Sequence, residues 1–152
     1  MKSFFIWTIV ILTAFWWLYF HIYPFFRRLL RGRGIAYVSP KTLDEKIKSH
    51  ADLVMIDIRE DFNDKIVGYI NGSVSLPYDK FMAKIAKDAD SLAGFKDVPV
   101  VIVGLRDENE SFYAYKTLKQ RGFADVSILD KGITQWLRDG LPTVRPYAPK
   151  DA

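Results

Sequence analysis

Few side chains in this sequence have types and spacing suited to chemistry, and the absence of one type is the most informative fact. The chain contains no cysteine. Disulfides, thiolate metal sites and any reaction through a thiol are therefore excluded. Its two histidines, His21 and His50, are too few for a histidine-built metal centre. Ser111 has no histidine nearby in sequence to act as its base, so a Ser–His–Asp site has little support. Asp57 with Asp61 or Asp64 offers the oxygen ligands of a hard-cation site, although a solvated acidic turn is the simpler reading. There is no glycine-rich phosphate loop and no hydrolase elbow. No cofactor and no metal is predicted.

The elements that must position any site alternate between strand and helix. Ser39 before Pro40 has the form of a helix start, an N-cap followed by proline at the first helical position. Leu43 and Ile47, four apart, then share one face. The run 53–58 (Leu-Val-Met-Ile-Asp-Ile) is apolar up to a carboxylate, as in a buried parallel strand. Two further strands are predicted at 98–103 and 126–129. Between them lie helical patterns at 78–87, 133–138 and 109–121, the last with Phe112, Tyr115 and Leu118 at helical spacing and Gly122 as its stop. Such alternation predicts an α/β fold, a parallel central sheet flanked by helices.

Charge and hydropathy set the N-terminus apart. Hydrophobic residues make up 49% of the chain and concentrate in the uncharged run 4–20. Extended to Phe26, that run is roughly 30–35 Å of helix, which matches a bilayer core of about 30 Å. A cleaved secretory signal is the competing reading, but the run is too long and is followed by Arg27, Arg28, Arg31 and Arg33. Those arginines predict a single-pass anchor with the N-terminus outside and the remainder cytoplasmic, in a bacterial inner membrane. The segment 1–34 carries five cationic side chains and no acid, leaving 17 Lys+Arg against 18 Asp+Glu, a net charge of −1, for 35–152. The basic balance is thus local, and no nucleic-acid partner is predicted. The expected organisation is an N-terminal transmembrane helix with a basic juxtamembrane segment (1–34), an α/β domain (35–144) and a tail (145–152).

Two sets of residues resemble the rhodanese superfamily. Asp57-Ile58-Arg59-Glu60 followed by Gly68-Tyr69-Ile70-Asn71-Gly72-Ser73 is similar to its opening signature. Gly122-Phe123, the run 126–129, Gly132-Ile133, Trp136 and Gly140-Leu141-Pro142 resemble its closing one. The resemblance covers about 36–144. It implies the rhodanese fold. The residues themselves read as structural: Asp57 and Arg59 as an ion pair at a strand end, Gly68 and Gly72 as permitting backbone that a side chain would block, and Trp136 as core.

The resemblance also implies a cysteine where the 100–103 strand ends, in a loop that wraps backbone N–H groups around its persulfide at a helix N-terminus. Here the strand enters Gly104, Leu105, Arg106, Asp107, Glu108, Asn109, Glu110 and Ser111. Counting forward from Pro99 puts the cysteine position at Gly104, and counting back from Ser111 puts it at Leu105; neither is a nucleophile. Asp107, Glu108 and Glu110, offset by Arg106 alone, also repel anionic sulfur species; a like charge within about 5 Å costs on the order of 1 kcal/mol even when well solvated. The expected function is therefore an inactive membrane-anchored rhodanese-like scaffold, assembly factor or accessory subunit. Its expected partners are the bilayer and other membrane-protein subunits. Candidate contacts are Trp7, Phe15, Trp16, Trp17 and Tyr19, with Arg27, Arg28, Arg31 and Arg33. The alternatives are a protein that binds a sulfur species, small anion or ion in the former pocket, or an enzyme of altered chemistry.

Overall fold

The computed structural model describes residues 2–31, 34–60, 67–87 and 93–145, and on the first helix the side chains of 7–20 and 22. Two compact units result, 1–35 and 36–152.

The first unit is helix α1 (Lys2–Arg31). Trp7, Phe15, Trp16, Trp17 and Tyr19 are all more than half exposed on it, and Phe20 stacks at 5.1 Å from Trp16 and 5.8 Å from Tyr19, centroid to centroid. Among the described residues, no helix is long and apolar enough to cross a membrane. That finding overturns the expected single-pass anchor with its N-terminus outside and its domain cytoplasmic. The side chains of Arg27, Arg28 and Arg31, and all of Arg33, lie outside the described residues.

The second unit is a five-stranded sheet of order β1-β5-β4-β2-β3, with every pairing parallel. Its strands are β1 (Tyr37–Val38), β2 (Val54–Asp57), β3 (Ser73–Ser75), β4 (Val100–Val103) and β5 (Val126–Leu129). Helices α2 (Pro40–Lys48), α3 (Tyr78–Lys87), α4 (Asn109–Gln120) and α5 (Gly132–Arg138) connect them. Ser39 caps α2 as its sequence predicts, its Oγ accepting from Thr42 N at 3.1 Å, with Pro40 in the first turn.

Side chains alternate across a strand, and β4 sends its residues to both layers. Val101 and Val103 join Leu43, Met55, Ile70, Leu129, Ile133 and Trp136 in one core, where α2 packs on α5. Val100 and Ile102 pair with Val126 and Ile128 on the face that carries α4, against which α3 packs. All four β4 residues are buried. β2 differs from the expected continuously buried strand: Met55 and Asp57 are buried, while Val54 and Ile56 are only half-buried. In α4 the inward face is Ser111, Ala114, Tyr115 and Leu118; Phe112 is half-exposed and stacks on Tyr113 at 5.5 Å.

Candidate functional site

The site is assembled from three segments at the C-terminal ends of β2 and β4. The first is anchored by a buried ion pair. Arg59 Nε donates to Asp57 Oδ1 at 2.8 Å and Nη2 to Oδ2 at 2.6 Å, with both side chains essentially inaccessible to solvent. Two parallel N–H···O bonds give the pair directionality as well as charge. Arg59 Nη2 also donates to Gly68 O at 2.8 Å, so one guanidinium ties the end of β2 to the 67–70 segment. Asp61 and Asp64, between them, lie outside the described residues. Among those described, no group of His, Cys, Asp and Glu could hold a metal.

The second segment is a C-terminal strap. Tyr69 N donates to Val144 O, and Val144 N to Tyr69 O, both at 2.9 Å, an isolated antiparallel bridge. Gly68 is glycine for two reasons: its φ is +80°, and a Cβ there would lie 2.7 Å from Val144 O. Trp136 is buried in the core and donates from Nε1 to Pro142 O at 2.9 Å. The indole thus fixes the strap that fixes Gly68, which links both ends of the signature.

The third segment is the loop 104–111. Gly104 follows β4 and is buried. A Cβ at this position would collide with Ser111 Oγ. Ser111 is 2% exposed, and among the described residues its Oγ has no hydrogen-bond partner. The loop is held on α5: Ile133 N donates to Gly104 O at 2.9 Å, and Thr134 donates to Leu105 O from N at 3.2 Å and from Oγ1 at 2.7 Å. Lys131 N donates to Asp107 Oδ1 at 3.2 Å. Gly132 makes this contact possible, because a Cβ there would lie 2.7 Å from Leu105 C and 2.8 Å from Arg106 N. The first free N–H groups of α5, the sort of donors that bind anions at a helix start, are here occupied by the loop's own carbonyls.

The loop's rim is electronegative. Burial, and then the neighbouring Glu110, raise the Glu108 carboxyl above its ordinary value against the opposing pull of Arg106 and the Leu105 backbone. Tyr78, at the start of α3, is also raised, by burial and then by Glu110, Tyr113 and Asp79. Glu108 occupies the N-cap position of α4 without a side-chain capping bond, and Glu110 sits in the first turn. The helix start expected in this loop is present, but Glu108 does not cap it through its side chain.

Of the residues singled out in the sequence, Asp57, Arg59 and Gly68 meet in one cluster, and Gly132 meets Gly104, Leu105 and Arg106 in another. Trp136 reaches the first cluster through the strap, while Gly72, at φ +84° with Met55 Cε 3.5 Å from its would-be Cβ, serves the turn into β3. Thr134, Lys131, Tyr78 and Tyr113 carry no motif signal and enter the site only through tertiary packing. His50 lies beyond α2 with φ +54°, and the side chain of His21 lies outside the described residues.

A parallel α/β sheet whose central strand runs into a loop cradled on a helix start is a scaffold that places chemistry at strand C-termini. Residues 39–139 match the family model of the rhodanese-like domain. The chain belongs to the rhodanese-like family. It is similar to a sulfurtransferase of Allochromatium vinosum, 29% identical over 112 residues that cover 72% of this chain and 94% of that protein. It is also 31% identical over 97 residues to the uncharacterized protein YibN of Escherichia coli, of whose length it spans 62%, as it does of its own. Among solved structures, a rhodanese-like domain from an Anabaena protein superposes with TM-score 0.60 at 21% identity, covering 76% of this chain and 86% of that one. A thiosulfate sulfurtransferase of Pseudomonas aeruginosa gives 0.61 at 18%, covering 75% and 21%. At these identities the structural likeness establishes the fold.

Proposed function

We propose that this chain is a catalytically silent rhodanese-like domain that acts by binding a protein partner as a scaffold, assembly factor or accessory subunit. The observation that carries the reading is the state of position 104. The residue after β4 is glycine, and the space where its side chain would begin is filled by Ser111 Oγ. Leu105, the other position at which the nucleophile could fall, has no group that attacks sulfur. Glu108 and Glu110, at the start of the helix that the loop opens, oppose an anionic donor. A family scaffold kept intact around a filled site leaves its surface as the part available for function.

The test has two arms. The purified chain, incubated with thiosulfate or a low-molecular-weight persulfide and cyanide, is expected to form thiocyanate no faster than the protein-free blank; turnover proportional to protein concentration would refute the silent reading. Native mass measured on the tagged chain from its own cells is expected to show co-migration with one defined complex. Migration at monomer mass would remove the stable-subunit reading.

A further inference from the structure

Parallel sheets are normally buried on both faces, and here, among the described residues, one corner of one face is not. On β2, Val54 and Ile56 are half-buried, although their partners Val100 and Ile102 on β4 are at most 2% exposed. Beside them Val74, on the edge strand β3, is 57% exposed, and Phe95, in the short 3-10 turn Ala93–Phe95, is 51% exposed. These residues and the buried Phe81 of α3 line a cavity of about 320 Å³. The loop 104–111 contributes nothing to it. The residues that line it come from β2, β3, β4, α3, α4, positions adjoining them and the turn at Phe95, and none from the loop.

The lining is apolar with one exception. Lys84 of α3 is the single charged side chain among the lining residues. It is exposed, and its helix carries Lys80, Lys84 and Lys87 against the one acid Asp79. Apolar walls select an apolar body, because any polar group placed between them loses water without gaining a partner. An ammonium at the rim selects an anionic head. The volume lies at the low end of the range of about 300–1,000 Å³ for small-molecule sites. At roughly 30 Å³ per group, the share of a water molecule in the liquid, it holds about ten heavy atoms.

We infer that this corner binds an amphiphilic carboxylate of medium chain length, its tail against Val54, Ile56 and Val74 and its head group at Lys84. The site is independent of the silent loop, and its failure would leave the reading of position 104 untouched.

The experiment is a titration of the full isotope-labelled chain with sodium decanoate, followed by amide chemical shifts, with octanoate and decyltrimethylammonium as comparison probes. Saturable shifts are expected at Val54, Ile56, Val74 and Phe95. Decanoate should bind roughly tenfold more tightly than octanoate, from two more buried methylenes, and the cationic probe should bind at least tenfold more weakly than decanoate. Lys84→Glu, an exposed change, should weaken decanoate at least tenfold, while Lys87→Glu should change it less than threefold. The inference is overturned by absence of saturation at millimolar decanoate, by equal affinity for the cationic probe, or by indifference to Lys84→Glu. Shifts confined to Trp7–Phe20 would overturn it too, by placing the amphiphile on α1.

Discussion

Ser111 Oγ occupies the space in which a side chain at position 104 would begin. One buried hydroxyl therefore enforces glycine at the strand end, and among the described residues that hydroxyl has no hydrogen-bond partner. Each residue's environment is the consequence of the other.

This coupling predicts a non-additive cycle. Gly104→Cys alone should destabilise the domain by about 1–3 kcal/mol through overpacking. Ser111→Ala alone should be neutral or slightly stabilising, since it removes a buried hydroxyl that has no partner among the described residues. In the double variant most of the Gly104→Cys penalty should disappear, because Ser111 Cβ stands 3.7 Å from the would-be Cβ at 104. Urea midpoints of the four proteins measure this; strict additivity would show that the two positions do not share the space.

Gly132 and Gly140 separate packing from backbone strain. Both have positive φ, +59° and +71°, but only Gly132 faces loop backbone, while a Cβ at Gly140 meets nothing within 4 Å. Gly140→Ala should cost about 1 kcal/mol, the penalty of a left-handed residue with a Cβ. Gly132→Ala should cost about 3 kcal/mol or more, from the same strain and the displacement of the loop. Equal losses in urea unfolding would contradict the close approach to Leu105 and Arg106.

The buried pair at the end of β2 should show the cost of a single loss. Arg59→Met leaves Asp57 charged in the interior and should destabilise by about 3–5 kcal/mol. Combining it with Asp57→Leu should recover a large part of that loss, because the second change removes the stranded charge. A double variant as unstable as the sum of its singles would argue that the pair's contribution is mainly the bond to Gly68 O.

Glu108 predicts a pH dependence of definite sign. Its folded-state pKa is raised above 4.5, by burial and then by Glu110, so the folded protein holds this proton more tightly than the unfolded chain does. Stability from this group is present in full below the unfolded value and is lost as pH rises through the folded one. Glu108→Gln should therefore be more stable than the parent at neutral pH, and the two should converge below 4.5. Parallel urea midpoints across that range would contradict the burial of the carboxyl.

Trp136→Phe keeps the aromatic packing but removes the donor to Pro142 O. The global cost should be about 1 kcal/mol. The more specific signature is local: amide exchange at Tyr69 and Val144, which bond each other across the strap, should accelerate more than exchange in β4. Uniform acceleration throughout the domain would mean that the indole bond does not hold the strap.

Much of this protein is legible in its sequence, because the relevant physics is local. Ser39-Pro40 starts α2, the pattern 78–87 is α3, and the apolar run 126–129 is β5, since capping, helical periodicity and strand hydrophobicity act over a few residues. The absence of cysteine and the paired signatures were enough to give the fold class and to remove the thiol. The hydropathy of 4–20 was legible as well, but the membrane placement built on it did not hold among the described residues. Strands β1 and β3 were not legible: Tyr37–Val38 is two residues long and Ser-Val-Ser carries little apolar signal, so both exist by pairing with β5 and β2. The half-covered face of β2 is equally a product of strand order, which no run of residues encodes. Most of all, tertiary structure decided the fate of position 104. The sequence could not say that Ser111, seven residues away, fills the space beside Gly104, because only folding brings the start of α4 back over the end of β4.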